Sequence, residues 1–327
     1  MNRRPIELQP PDIARWGCGN TGTDYVWRFD SGVPGPSTMV QALTHGNELC
    51  GAIALDSLLD ALLASPLAGR LAPVRGTLTL AFANVAAYER WNPGAPDHSR
   101  YVDEDYNRVW ADSVLSGPRD SVELHRARAL RPFVDAADFL LDLHSMHEPC
   151  RPIMVCGATG RGGDKSAAFA RRLGVPDVLL VDTGHPAGLR MIERGPFGDP
   201  ADQRTALLIE CGQHWERAAA DVAIDTTLRF LAATGTLEQA SVAPLLRMTP
   251  SPRQRLLRVT EAVVAQTTGF RFAAPFSGLE VLPRRGDPVA FDGDTVIRAP
   301  YDDTVLVMPS LSQQKVGTTM VRLGRYE

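Results

Sequence analysis

Cysteine is scarce in this sequence, and no two cysteines stand at the spacing of a metal or redox motif. The 327 residues contain five: Cys18, Cys50, Cys150, Cys156 and Cys211. The odd number argues against a disulfide framework, and the lack of a Cys-x-x-Cys pair argues against a cysteine-rich zinc site. We therefore expect reduced, mostly buried thiols, as in cytoplasmic proteins.

Long apolar runs and an excess of positive charge are also lacking. No segment approaches the roughly 18 apolar residues of a membrane-spanning helix, and the N-terminal residues have no apolar core of a signal peptide. The formal net charge of −4 argues against nucleic acid or an anionic membrane as the main partner. These absences predict a cytoplasmic protein whose main partner is neither nucleic acid nor a membrane, and they leave a homo-oligomer open.

Short apolar runs alternate with longer helical patterns over about the first 235 residues. Buried strands are predicted over residues 40–43, 77–84, 139–144, 153–156, 178–182 and 206–211. Between them, apolar residues recur at helical spacing in residues 50–64, 122–136, 165–173 and 215–233. This alternation predicts an α/β fold with a mostly parallel central sheet that helices cover on both faces.

The pattern changes after residue 235. Pro244, Pro250 and Pro252 break any long helix. From residue 259 onward, short apolar runs separated by Gly, Pro and Asp turns predict strands over residues 259–264, 278–283, 287–291, 295–300 and 304–309. We therefore expect a catalytic α/β domain over residues 1–245 and a smaller β-rich domain over residues 246–327.

Two histidines and a glutamate form a candidate metal site. His45 and Glu48 follow the strand predicted over residues 40–43, and His144 ends the strand predicted over residues 139–144. Two nitrogens and one carboxylate, with a fourth position left to water, are the ligand set of a hydrolytic zinc site. Ligands gather at the carboxyl ends of strands in such sheets, so we expect the three side chains to meet there. The alternative is a polar helix start, and cobalt or manganese would suit the same ligands as Zn²⁺.

Two further features could carry chemistry beside such a metal. Glu210 ends a buried apolar strand, where a carboxylate is costly unless it is paired or faces a cleft. It could take a proton from water and return it to a leaving amine. Arg100, Asn107 and Arg108 offer donors for an oxyanion and for a carboxylate, with Asp103 and Asp105 to orient the arginines. The alternatives are an ion-paired glutamate at the sheet edge and a salt-bridged surface loop.

Taken together, these motifs resemble the succinylglutamate desuccinylase/aspartoacylase family, which is related to the zinc carboxypeptidases. The resemblance covers about residues 38–215 and rests on His45-Gly46-Asn47-Glu48, Arg100, Asn107-Arg108, Asp142-Leu143-His144 and Glu210-Cys211-Gly212. It implies one Zn²⁺ per chain on His45, Glu48 and His144, with Glu210 as general base and acid. It also implies Arg100 at the scissile carbonyl, and Asn107 with Arg108 at a carboxylate of the substrate.

The resemblance implies a deacylase that hydrolyses the amide of an N-acylated amino acid or a similar small carboxylate. The alternatives are a metallocarboxypeptidase acting on peptides and a non-catalytic protein that binds a metal or a metabolite. Family members with dicarboxylic substrates use further basic or tyrosyl groups. Candidates here are Arg190, Arg194, Arg204 and Tyr301, among which no local motif decides. The acyl group and the amino acid therefore stay open.

Overall fold

The computed structural model describes residues 4–64, 71–311 and 315–327. The strands in these ranges are β1 (Val26–Asp30), β2 (Ser37–Ala42), β3 (Thr77–Phe82), β4 (Phe139–Met146), β5 (Ile153–Ala158), β6 (Val178–Asp182), β7 (Thr205–Gln213), β8 (Arg255–Val264), β9 (Arg271–Phe272), β10 (Val281–Leu282), β11 (Pro288–Asp292), β12 (Thr295–Arg298), β13 (Thr304–Val307) and β14 (Thr319–Tyr326). The α-helices are α1 (Leu49–Leu63), α2 (Val85–Tyr88), α3 (Asp112–Leu115), α4 (Val122–Ala136), α5 (Gly163–Ala170), α6 (Arg217–Ala233) and α7 (Gln239–Val242). The strands and long helices predicted for the first 235 residues are confirmed, with ends that shift by a few residues.

A large mixed sheet forms the centre of the molecule. Eleven strands follow the order β1-β3-β2-β4-β7-β5-β6-β8-β14-β13-β10, and β12, β11 and β9 form a smaller sheet. Within the described ranges, five neighbouring pairs of the large sheet are parallel, namely β2–β3, β2–β4, β4–β7, β5–β6 and β6–β8. The other five pairs are antiparallel. The α/β class is confirmed, but the predicted mostly parallel pairing holds for only part of the sheet.

The chain reverses direction between β4 and β5, which explains one departure from parallel pairing. Only residues 147–152 connect the two strands, and a parallel crossover needs a dozen residues or more. As a result β5 runs antiparallel to β7, which itself lies parallel to β4. The strands predicted over residues 139–144 and 153–156 already leave fewer than a dozen residues between them, so the length of this link was a signal that the strand–helix alternation alone did not use.

Helices cover the sheet on both faces, as predicted. Helices α1, α5 and α6 pack on one face, in a core that includes Leu141 and Leu143 of β4. Helix α4 packs on the other face, against Leu140 of the same strand. Successive side chains of a strand point to opposite faces, so a strand buried on both sides has a continuous apolar sequence. Helix α4 begins at a cap in which Ser121 Oγ accepts a hydrogen bond from the Leu124 amide at 3.0 Å.

The C-terminal strands extend the large sheet. Strand β8 pairs in parallel with β6, and β14 pairs with β8 and with β13. The predicted β-rich C-terminal region is confirmed, while the boundary at residue 245 and the likeness to zinc carboxypeptidases stay predictions. Strand β14 is missing from the sequence prediction because its buried residues, Met320, Val321, Leu323 and Gly324, do not alternate with polar ones. In the part of the chain that the structure describes, no helix is both long and apolar enough to span a membrane.

Candidate metal centre and active-site cavity

The fold brings His45, Glu48 and His144 together. All three side chains are buried, and one ligand atom of each lies within 4.8 Å of the others. His45 Nδ1 lies 2.7 Å from Glu48 Oε1, and His144 Nδ1 lies 3.0 Å from Glu48 Oε2. Both imidazoles therefore present the same ring nitrogen to one carboxylate. This cluster could hold a metal ion.

The local backbone explains how His45 and Glu48 reach the same point. Leu43 follows β2 with a left-handed φ of 60°, which turns the chain away from the sheet. A Cβ atom at Gly46 would lie 2.4 Å from the Ser99 carbonyl oxygen and 2.4 Å from the Tyr88 amide nitrogen. Only glycine fits this close approach. Glu48 then stands directly before α1, at its N-cap position.

Each histidine has a second carboxylate on its other ring nitrogen. His144 Nε2 lies 2.8 Å from Asp142 Oδ2, and His45 Nε2 lies 3.1 Å from Asp105 Oδ1. Asp142 is held in turn by the Thr44 hydroxyl, which donates to its Oδ1 at 2.8 Å. Such contacts fix the orientation of metal-binding imidazoles.

Glu210 lies directly beside the cluster. It pairs in register with His144 on the neighbouring parallel strand. Among the described residues, its Oε2 atom is buried and has no hydrogen-bond partner. Burial raises the pKa of Glu210 to about 8, with a further upward contribution from Glu48 that His144 and Arg100 oppose. The ion-paired alternative for this glutamate therefore has no support in the structure.

Glu48 differs from Glu210 in its ionisation. Burial favours its neutral form, but His45 and His144 outweigh burial and hold the pKa of Glu48 well below its ordinary value. Two neighbouring carboxyl groups thus have pKa values that are pushed apart. This separation is typical of sites where one carboxylate is a fixed charge and the other exchanges protons.

Arg100 lies against the cluster rather than on the surface. Its Nη2 atom lies 2.9 Å from His45 Nε2 and donates to Asp105 Oδ2 at 3.2 Å. Its Nη1 atom lies 3.5 Å from Glu48 Oε1. Of the two acids predicted to orient the arginines, only Asp105 does so. Asp103 instead accepts a hydrogen bond from the Val122 amide at the start of α4, at 2.8 Å.

Asn107 and Arg108 lie on a short 3₁₀ turn that Asp105 begins. Asn107 Oδ1 accepts a hydrogen bond from the Met191 amide at 3.2 Å. Its backbone amide donates to Asp105 Oδ1 at 2.9 Å, whereas within the described part of the chain the side-chain nitrogen Nδ2 has no acceptor. Arg108 donates to the Asn107 carbonyl at 2.7 Å, and its ion pair with Asp105 is long, at 3.9 Å. Burial lowers the pKa of Arg108 to about 10. Both side chains thus have free donors.

A cavity of about 1050 Å³ joins these groups. All seven residues predicted for the site line it: His45, Glu48, Arg100, Asn107, Arg108, His144 and Glu210. The segment over residues 97–105, the loop after β4, the loop after β6 and the C-terminal region contribute much of the remaining wall. The sequence prediction therefore selected residues that meet in one place.

The four candidates for a second recognition group are all engaged elsewhere. Arg190 lines the cavity, but both of its terminal nitrogens donate to Asp182 at 2.7 Å. The other three do not line the cavity. Arg194 binds Asp135, Arg204 binds Asp202, and the Tyr301 hydroxyl lies 2.7 Å from Thr260 Oγ1.

The sequence prediction did not assign several of the cavity residues to the site, among them His147, His214 and Arg322. His147 and His214 follow β4 and β7, and His214 Nδ1 lies 2.8 Å from Ser145 Oγ. Both histidines follow strands that carry predicted site residues. This position was the available signal that they belong to the cavity. Arg322 of β14 also lines the cavity, and the sequence around it gave no signal.

Comparison with known proteins gives a consistent result. The model of the succinylglutamate desuccinylase/aspartoacylase catalytic domain matches residues 34–233, more than half of the chain. No curated protein matches the chain. Among solved structures, succinylglutamate desuccinylase from Vibrio parahaemolyticus has 17% identity and a TM-score of 0.64, over 93% of this chain and 86% of that chain.

Two further structures share the fold. An aspartoacylase family protein from Mesorhizobium loti has 18% identity and a TM-score of 0.63, over 92% of this chain and 88% of that chain. The ectoine utilization protein EutE (DoeB) from Ruegeria pomeroyi has 15% identity and a TM-score of 0.60, over 89% and 86%. The chain belongs to the succinylglutamate desuccinylase/aspartoacylase family.

Proposed function

We propose that the protein is a zinc-dependent amidohydrolase that removes the acyl group from an N-acylated amino acid or a similar small carboxylate. One observation carries the proposal. Glu210, a carboxyl group without a partner among the described residues, stands next to a buried His-Glu-His cluster in the cavity that Arg108 also lines. An acid–base group, a metal-binding set and a carboxylate-binding group are the parts that such a hydrolysis needs.

The donor set fits one Zn²⁺ per chain. His45 and His144 each offer Nδ1, Glu48 offers a carboxylate, and two outer acids orient the imidazoles. Three protein ligands of this kind leave a position open, as in catalytic rather than structural zinc sites. A bound Zn²⁺ would polarise the scissile carbonyl and lower the pKa of the attacking water.

Glu210 moves the proton in this proposal. Its carboxylate accepts a proton from the attacking water and then delivers that proton to the nitrogen of the leaving amine. A group that does both needs a pKa near the working pH, and the raised pKa of Glu210, about 8, meets that need. Arg100 donates a hydrogen bond to the carbonyl oxygen, which becomes an oxyanion as water bonds to the carbonyl carbon.

Asn107 and Arg108 bind and orient a carboxylate of the substrate. A guanidinium and an amide nitrogen offer parallel N–H donors to one carboxylate. Fixing this end of the substrate places its amide bond between Glu210 and the metal-binding cluster. We place the reaction in the cytoplasm, and the free state of all five cysteines agrees with a reducing compartment.

A carboxypeptidase is the second candidate, because the same groups would bind the C-terminal carboxylate of a peptide. The wall of the cavity favours the deacylase. Met308, Pro309 and Thr319, from the C-terminal strands and their loops, line the cavity that holds Glu210. A wall from this region leaves less room for a long peptide. A non-catalytic binding protein is disfavoured because the ligand set and Glu210 are all in place.

The test is hydrolysis of a panel by protein whose metal content has been measured. The panel contains N-acetyl, N-succinyl and N-formyl amino acids together with short peptides. We expect cleavage of N-acyl amino acids that a chelator abolishes and Zn²⁺ restores. Cleavage of peptides alone would identify a carboxypeptidase. Full activity of a zinc-loaded Glu210→Gln variant would overturn the mechanism.

A further inference from the structure

The C-terminal strand β14 places a cation in the wall of the cavity. Arg322 pairs in register with Val307 of β13 and with Ala262 of β8, so strands on both sides fix its backbone. Its neighbours Val321 and Leu323 are buried in a separate apolar core. Alternation along the strand then directs Arg322 to the opposite face, where it lines the cavity.

The guanidinium of Arg322 is unpaired as far as the described residues show. Among the described residues, it makes no side-chain hydrogen bond and no ion pair, although the side chain is half-buried. Two of the nearby acids, Asp182 and Glu193, both bind Arg190. The third, Glu210, forms no ion pair with Arg322 in the described part of the chain. Burial lowers the pKa of Arg322, and the charge of Arg190 contributes to the lowering. A half-buried cation without a partner costs free energy that a bound anion would recover.

The charges of Arg322 and Arg108 influence the same part of the cavity. Burial lowers the pKa of His185 to about 3, and the charges of Arg108, Arg322 and Arg190 lower it further. A histidine between these cations is neutral and balances none of their charge. This end of the cavity therefore contains two incompletely paired guanidinium groups, Arg108 and Arg322, and one guanidinium that is fully paired, Arg190.

We propose that Arg322 is a specificity-determining residue that binds a second carboxylate of the substrate. The inference rests on the proposed function, in which Arg108 binds the first carboxylate. It predicts that substrates with two carboxylates are favoured over analogues in which a neutral amide replaces the second one. The selectivity then depends on the C-terminal strands, which lie outside the residues that match the family model, 34–233.

Equilibrium binding tests the inference without relying on turnover. The zinc-loaded full-length protein is titrated in a calorimeter with succinate, glutarate and adipate, and with the monoamide of each diacid. We expect at least one diacid to bind about ten- to a hundredfold more tightly than its monoamide, as is typical of a charged hydrogen bond. The preference should disappear in Arg322→Gln and remain in Arg325→Gln, a variant of an exposed arginine outside the cavity.

Kinetics adds a second readout. N-acetylglutamate is compared with N-acetylglutamine, and N-succinylalanine with its succinamoyl analogue. In one of these pairs, Arg322→Gln should raise KM for the dianionic substrate by about ten- to a hundredfold, leave kcat similar, and leave the kinetics of the monoanionic amide analogue unchanged. Arg322→Lys, which keeps the charge and fills the strand position, should retain part of the selectivity.

Two results would overturn the inference. One is an equal affinity of the wild-type protein for each diacid and its monoamide. The other is a diacid preference that survives in a folded Arg322→Gln variant with an unchanged melting temperature. If the protein hydrolyses no N-acyl amino acid but shows the diacid preference, the proposed function fails and the anion site stands.

Discussion

His144 and Glu210 are register partners on the neighbouring parallel strands β4 and β7. This pairing sets one metal-binding candidate beside the candidate general base. It also fixes the backbone positions of both residues relative to each other. The parallel register also places both side chains at the carboxyl end of the sheet, where the loops around His45 and Arg100 close over them. The relationship leads directly to the first prediction.

Replacing Glu210 by Gln should abolish turnover without releasing the metal. The amide keeps the size of the side chain but cannot accept a proton, so we expect kcat to fall roughly a hundred- to ten-thousandfold. Zinc content, measured by mass spectrometry of the purified protein, should stay at that of the wild type. Glu261→Gln, at an exposed position on β8, serves as the control. Loss of zinc together with activity would assign Glu210 to the ligand set instead.

A second prediction concerns the carboxylate behind His144. Asp142 is fully buried and lies 2.8 Å from His144 Nε2. Asp142→Asn removes the charge that orients the imidazole, so we expect metal affinity to fall about ten- to a hundredfold. Competition with a chelator of known affinity measures this change. Asp103→Asn, which alters an acid at the start of α4, should leave metal affinity unchanged. An unaltered affinity in Asp142→Asn would show that the imidazole needs no such support.

The sequence predicts the positions of some of these residues but not of others. His45, His144 and Glu210 each follow or end an apolar run, so their placement at one sheet edge follows from local pattern and from the general behaviour of parallel strands. Asp142 could be recognised in the same way, two residues before His144. Arg322 could not, because its place in the cavity depends on β14 pairing with β8 and β13, and such long-range pairing leaves no local trace.

Pairing direction is a second feature that local pattern does not supply. The sequence predicts that β5 is a strand, but its antiparallel arrangement against β7 follows from the short link after β4. Arg190 illustrates the same limit for side chains. It is one of four candidates for a second recognition group among which no local motif decides, whereas the structure engages it with two acids, one of them on β6.

A third prediction concerns the reactivity of Cys150, which lines the cavity. Burial, followed by the charge of Glu280, raises the pKa of this thiol to about 11. Only the thiolate is nucleophilic, so at pH 8 about 0.1% of the thiol is reactive. We expect alkylation by iodoacetamide to be slow and to accelerate about tenfold per pH unit between pH 8 and 10. Mass spectrometry of the peptide containing Cys150 follows the reaction. A rate that is independent of pH over this range would contradict the raised pKa.

Arg190 supplies the last prediction, because it separates a structural arginine from a substrate-binding one. Its side chain is buried and binds two buried acids, Asp182 and Glu193. Arg190→Met would leave both carboxylates in the core without their partner, so we expect the free energy of unfolding to fall by about 3–5 kcal/mol. Urea denaturation followed by circular dichroism measures the loss.

The matched control for Arg190 is Arg204→Met, whose ion pair with Asp202 lies at the surface and adds little to stability. Substrate affinity distinguishes the two roles. If Arg190→Met remains as stable as the wild type but loses affinity for the substrate, then Arg190 contacts the substrate directly. In that case its bonds to Asp182 exchange for a substrate carboxylate on binding, and Arg322 would share the second carboxylate with it. A stability loss with unchanged KM at a temperature where the variant is folded leaves Arg322 as the recognition group.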